Sequence, residues 1–119
     1  MNLAVHRGHV VLIDFMPTNP NAKIRPALVV QNDTDNLRMA NTIVAQLTSN
    51  TSRAREATQH LIDAAHRDWV ASGVRLPSVV NCSNLATVQQ WHIIRLLGSL
   101  SPATMQEIES CLKAALELT

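Results

Sequence analysis

Arg25 and Thr48 each stand where a strand-like segment meets a loop, and their side chains offer a guanidinium and a hydroxyl there. Arg25 lies at the base of the stretch Lys23-Ile24-Arg25-Pro26-Ala27-Leu28-Val29-Val30, just after a proline-bearing loop. Thr48-Ser49 ends one apolar segment and opens a polar loop carrying Arg53 and Arg55. Strand ends are where a rigid frame hands side chains to loops, which favours them as sites. A guanidinium presents planar, bidentate donors to phosphate and a face that stacks on bases. Taken alone, Arg25 is equally an ion-pairing or capping arginine, and Thr48-Ser49 a strand terminator.

Other chemical signatures are missing. Gly8, Gly73 and Gly98 are the only glycines and are too scattered for a phosphate-cradling loop. No HExxH sequence occurs. His6 and His9 are three apart, but no nearby carboxylate or cysteine completes a metal site with them. His60, His66 and His92 are isolated in sequence, and no nucleophile-elbow spacing supports a Ser/His/Asp triad. No metal and no cofactor are therefore expected.

The elements that must position Arg25 and Thr48 are mostly strands. His9 to Phe15 (HVVLIDF), Arg25 to Gln31 (RPALVVQ) and Thr42 to Thr48 (TIVAQLT) are short and rich in β-branched and large apolar residues. Pro26 is tolerable only at a strand's start. Met16 to Ile24 is a loop, and Asp33 to Met39 a turn or a single helical turn. Gln59 to Asp63, Pro77 to Cys82, Leu85 to Val88 and Ile93 to Leu100 are further strands, with a bend between Cys82 and Leu85. Ala64 to Ser72 is ambiguous. The end is a helix: Ser101 is the N-cap, Pro102 takes the first helical position, and Met105, Ile108, Leu112 and Leu116 form its apolar stripe. Glu107 and Glu109 are placed near the positive end of its dipole. The expected architecture is a sheet-rich α+β domain of mostly antiparallel strands, spanning 1–119 as one unit.

The bulk properties permit this. The chain has 119 residues, 46% hydrophobic and 16% charged, which suits a globular protein. Its apolar runs are far too short to span a membrane, and no secretory leader is read at its start, so a cytoplasmic location is expected. Cys82 and Cys111 are expected to be reduced and buried. Net charge is +1, but up to Ser101 nine Lys/Arg face six Asp/Glu, while from Pro102 Lys113 faces Glu107, Glu109 and Glu117. Arginines outnumber lysines eight to two, which leans toward a phosphate or nucleic-acid ligand.

Five ordered segments carry a resemblance. Arg7-Gly8-His9, the run Val10 to Ile13 and Asp14-Phe15-Met16-Pro17-Thr18 match an opening of the form R-G-(acid)-apolar run-D-x-x-P-T. Lys23 through Asn32-Asp33 match K-x-R-P-A-L-V-V-x-N-D, and Val44 to Ser49 match V-x-x-L/I-T-S. Ser78 to Cys82 fit S-V-V-x-C, and Leu97-Gly98-Ser99-Leu100-Ser101 fit L-G-x-L-S. The chain resembles the MazF/PemK/Kid family of growth-inhibiting toxins from Arg7 nearly to its C-terminus.

The resemblance implies an SH3-like small β-barrel, the CcdB/MazF-like toxin fold, with a C-terminal helix. It implies a homodimer whose groove binds single-stranded RNA and cuts it without a metal by 2′-OH transesterification. It also implies a cognate antitoxin, whose acidic C-terminal segment blocks that groove. Arg25 would sit at the scissile phosphate and Thr48 would stabilise the transition state. Thr18, Lys23, Ser49, Arg53 and Arg55 would contact RNA. An arginine is awkward as a literal acid or base, since its pKa lies above about 12, so charge stabilisation on the phosphorane suits Arg25 better.

The match is not uniform. His9 stands where the family usually has an acid, and would be an accessory to the chemistry. The loop after Pro17-Thr18 is about two residues shorter than usual and lacks its G-x-E-x-G character. Asn81 and Ser83 replace an arginine–aspartate pair that some members use in acid–base chemistry, and Ala86 replaces a common arginine. Residues 64–75 have no equivalent. Two alternatives follow: a same-fold gyrase poison without nuclease activity, or a degenerate member that only binds RNA or antitoxin.

Overall fold

A computed structural model describes residues 5–15 and 23–119. Six strands form one antiparallel sheet: β1 (His9–Asp14), β2 (Ile24–Val29), β3 (Asn41–Thr48), β4 (Gln59–Ile62), β5 (Ser78–Gln89) and β6 (Ile93–Ser99). Their order is β4-β5-β3-β2-β1-β6. The sheet is not closed, and β4 and β6 are its two edges. The architecture is the sheet-rich α+β domain with a C-terminal helix expected from the sequence.

Alternation along each strand explains why the strands read as continuous apolar runs. Val10, Leu28, Ala45 and Leu47 point to one cluster, which α3 (Pro102–Leu116) completes with Met105, Ile108 and Cys111. Their neighbours Val11, Ile13, Ala27, Val29 and Val44 point to a second cluster with Phe15, Val88 and Ile93. Both faces are covered, so both alternate sets must be apolar. Burying each large aliphatic side chain here is worth roughly 1.5–3 kcal/mol.

Asp33 to Met39 resolves as a short helix, α1 (Asp33–Arg38), whose N-cap Asn32 accepts a hydrogen bond from the Asp35 amide at 2.8 Å. Inside it, Asn36 is buried and satisfied by Gln31 and Thr42. The two expected strands Pro77 to Cys82 and Leu85 to Val88 are one strand. Ala45 pairs with Leu85 while Gln46 pairs with Asn81, so residues 82–84 bulge out of the ladder. A single 3-10 turn, Gln90–His92, leads into β6.

Helix α3 begins as expected, with the Ser101 hydroxyl accepting from the Thr104 amide and Pro102 in the first turn. Its buried stripe differs at the end. Cys111 takes the place expected of a leucine, and Leu116 is 54% exposed while its neighbour Ala115 still packs on the core. Glu107 and Glu109 lie beyond the first turn, which contains no acidic residue, so the dipole does not explain them. They pair with Arg67 and Arg7 instead.

The ambiguous segment after β4 contains a one-turn helix, α2 (Trp69–Ser72), ended by Gly73 in the left-handed region at φ 77°. Tertiary contacts hold it. The buried Asp68 carboxylate accepts from the Ser101 amide at 2.8 Å and the Ser101 hydroxyl at 2.9 Å. Arg67 donates to Thr104 Oγ1 and Glu107 Oε1. Cys82 and Cys111 are free and buried, and desolvation pushes the Cys82 thiol up to about 12. No helix among the described residues is long and apolar enough to cross a membrane.

Candidate functional site

Strands β2 and β3 pair Ala27 with Gln46, Leu28 with Ala45 and Val29 with Val44. Carried two residues further, the same register sets Arg25 across from Thr48 at the open end of the pair. Arg25 is exposed and Thr48 half-buried. The Thr48 hydroxyl oxygen accepts from the Asn50 amide at 3.1 Å, which fixes the oxygen and leaves its proton free to donate.

A cavity of about 660 Å³ lies at these strand ends, with Arg25, Thr48 and Ser49 in its wall. That is the size range of small-ligand sites. Alternation sends Arg25 and Thr48 to the face of Ala27 and Gln46, and Pro26 and Leu47 to the other. Sitting at the strand ends, the cavity takes both sets into its wall. Leu12, Leu97 and Val74 supply apolar surface, and Gln46 and Ser78 further polar groups.

Two more guanidiniums line it, Arg75 and Arg95. Arg95 on β6 pairs with Leu12 of β1, which in turn pairs with Pro26. Arg75 follows Gly73 at the exit of α2. A Cβ at Gly73 would overlap the Leu97 carbonyl, and one at Gly98 the backbone of Ala71 and Ser72. These two glycines let residues 71–74 lie directly on β6, and so deliver Arg75 to the cavity. Among the described residues none of Arg25, Arg75 and Arg95 makes an ion pair. No Asp, Glu, His or Cys is in the lining. Guanidiniums without ion pairs, and hydroxyls with no competing carboxylate, are the chemistry that suits an anion such as phosphate, although one Arg25 nitrogen already donates to the Ile24 carbonyl at 3.2 Å. Such a lining also lacks the usual protein ligands for a metal.

The other candidates fall elsewhere. Lys23 is exposed, at φ 55°, and adjoins Ile24 of the cavity without lining it. Arg53 is held by Glu56 through two hydrogen bonds of 2.9 and 2.8 Å, and neither it nor Arg55 reaches the lining. Thr18 lies outside the described residues. His9 sits at the far end of β1, opposite Ser99, whereas Arg25 is opposite Ile13. At about 3.3 Å per residue it is more than 10 Å from that position along the strand. Its Nδ1 is buried with no hydrogen-bond partner among the described residues, and its pKa is lowered by desolvation, then by His6, against the pull of Asp33. Asn81, at a position where some relatives carry an ionisable residue, accepts from Gln59 and from the Ser83 amide through its side-chain oxygen. Arg75 and Arg95 escaped the sequence because they lie 27 and 47 residues beyond Thr48. Only the glycine contacts and the β1–β6 pairing bring them in.

The structure is a small antiparallel sheet backed by one helix, with a cavity at its strand ends lined by three guanidiniums and no carboxylate. Residues 6–116 match the family model for PemK-like, MazF-like toxins of type II toxin–antitoxin systems, and the chain belongs to that family. It is 30% identical over 121 residues to endoribonuclease MazF2 of Mycobacterium bovis, covering 98% of this chain and 100% of that protein. It is 27% identical over 118 residues to endoribonuclease EndoA of Bacillus subtilis, covering 98% and 97%. Among solved structures it is similar to a mycobacterial endoribonuclease in complex with its cognate antitoxin. The TM-score is 0.76 at 27% identity, with 98% of each chain covered.

Proposed function

We propose that this chain is an endoribonuclease that cuts single-stranded RNA without a metal, as the toxin of a toxin–antitoxin pair. The observation that carries it is that Arg25 and Thr48 share the wall of a cavity lined by three guanidiniums without ion pairs and free of carboxylates. The relatives' names support the same activity.

In this mechanism the ribose 2′-OH attacks the adjacent phosphorus. The O2′–P bond forms and the P–O5′ bond breaks; the 2′ proton passes to water, and the departing 5′ oxygen takes a proton from water. The products are a 2′,3′-cyclic phosphate and a 5′-hydroxyl. Arg25 faces the non-bridging oxygens and holds the charge that builds on the phosphorane. Thr48 donates its free proton to the same oxygens. Preorganised donors of this kind are worth most where charge develops. Arg75 and Arg95 bind neighbouring phosphates, as Arg55 and Lys23 do further along the backbone. Arg53 must first leave Glu56.

The molecule acts in the cytoplasm as a homodimer. In support of the dimer, edge strand β6 exposes Ile94 and Leu96, and Trp91 is 70% exposed beside it. An apolar patch on an open sheet edge calls for a cover. A cognate antitoxin with an acidic segment fits the cationic cavity by charge.

The test is incubation of purified protein with a long mixed-sequence RNA in EDTA, with Arg25→Ala alongside and product ends mapped. Discrete Arg25-dependent cuts leaving 5′-hydroxyl ends are expected. Intact RNA would overturn the nuclease assignment in favour of a non-nuclease toxin of the same fold, and metal-dependent cutting would overturn the metal-free mechanism.

A further inference from the structure

We propose that His60, His66 and Glu107 form a binding site for one divalent cation of the zinc class, on the face of the molecule that carries α3. His60 projects from edge strand β4, His66 from the turn before α2, and Glu107 from α3. His60 and His66 are six residues apart in sequence, and the Asp68–Ser101 and Arg67–Thr104 contacts bring the distant Glu107 to them.

The two Nε2 atoms are 2.9 Å apart, and Glu107 Oε2 is 3.6 Å from His60 Nε2. One ligand atom from each residue lies within 4.8 Å of the others. Zinc ligands at about 2.0–2.2 Å in tetrahedral array stand roughly 3.3 Å from one another, so small side-chain shifts seat the ion. Two imidazoles and a carboxylate suit zinc better than the hard cations calcium and magnesium, which prefer oxygen-only sets. Glu107 is exposed, which leaves the fourth position open to water.

The surroundings are those of an oriented site. Arg67 binds Glu107 Oε1 at 2.9 Å, which fixes the carboxylate with Oε2 toward His60. Arg67 brings a positive charge, but Glu107 and the neighbouring Asp68 outweigh it.

His66 Nδ1 accepts from the Asp68 amide at 2.9 Å, so without metal its proton sits on Nε2 and is donated to the His60 Nε2 lone pair. Metal binding moves that proton from Nε2 to Nδ1 of His66 and breaks the Asp68 amide hydrogen bond. His60 keeps its proton on Nδ1, and none is released. The bound ion then clamps β4 and the following turn to α3.

The experiment is calorimetric titration of the full chain with zinc ion in chelator-free buffer, with thermal melts alongside. One site per chain and a melting temperature that rises with zinc are expected. His66→Gln should abolish the site, Glu107→Gln should weaken it at least about tenfold, and His9→Gln should leave it intact. Cobalt substitution should give visible ligand-field absorption that His66→Gln removes. Glu107 is exposed, so its variant folds even if the His66 variant does not, and circular dichroism checks both. No saturable binding, unchanged binding in Glu107→Gln, or loss of binding in His9→Gln would each overturn the site. None of these readouts depends on RNA cleavage, which is tested separately in EDTA.

Discussion

Arg25 and Thr48 each lie two residues beyond Ala27–Gln46, the last pair of the β2–β3 ladder, and both line one cavity. A side chain with fixed planar donors and a hydroxyl whose oxygen is already held by the Asn50 amide therefore share one end of one strand pair. The donors are set before substrate arrives, which is the condition under which they lower a barrier most.

Removing either donor should reduce chemistry more than binding. Arg25→Ala is expected to lower kcat by on the order of a hundredfold or more, with a small change in KM. Arg25→Lys should recover only part, because an ammonium cannot make the bidentate contact. Thr48→Ser should retain most activity and Thr48→Ala should not. Single-turnover cleavage of a short RNA in EDTA measures all four. A Thr48→Ala variant as fast as wild type would remove the hydroxyl from the mechanism.

Arg75 and Arg95 should act on affinity. In a non-cleaving Arg25→Ala background, each change to alanine is expected to weaken RNA binding and to reduce the salt slope by about 0.7 for each phosphate no longer neutralised. Fluorescence anisotropy across a range of salt concentrations reads both. An unchanged slope would place the RNA elsewhere.

Gly98 should be intolerant of a side chain. A Cβ there overlaps the backbone of Ala71 and Ser72, and no rotamer change relieves a backbone overlap. Gly98→Ala is expected to cost about 1–3 kcal/mol in urea unfolding. It should also raise KM, since the displaced segment carries Arg75. Wild-type stability in that variant would show that the segment yields freely.

His9 should affect stability with pH and leave cleavage alone. Its folded pKa lies below the ordinary value of 6.5, chiefly through desolvation. The unfolded chain therefore binds more protons in that interval, and stability is full above about pH 6.5 and declines as pH falls through the folded pKa. Replacing His9 with Gln should flatten that decline between about pH 7 and 5 while sparing RNA cleavage at pH 7.5. Lost cleavage would restore His9 as an accessory to the chemistry.

Much of the frame was legible in the order of residues. Continuous apolar runs marked the strands, and Ser101-Pro102 marked the start of α3, because strand propensity and capping depend on neighbours in sequence. Arg25 and Thr48 could be singled out for the same reason: each sits at a strand end that its own segment defines. Leu116 departs from its expected burial, since helical periodicity groups residues on a face but does not state which of them the core meets: Ala115 packs on it and Leu116 does not.

What the tertiary structure alone decided is which distant groups meet. Arg95 reaches the cavity through the β1–β6 pairing, and Arg75 through two glycines that let backbones touch. Residues 64–72 had no periodicity to read, because they are a series of short local turns whose place is set by the Asp68 and Arg67 side-chain hydrogen bonds to the start of α3. The same bonds bring Glu107 to the neighbouring pair His60 and His66. A sequence specifies local conformation through adjacent residues; its long-range meetings arise only when the whole sheet sets its register and the helix packs upon it.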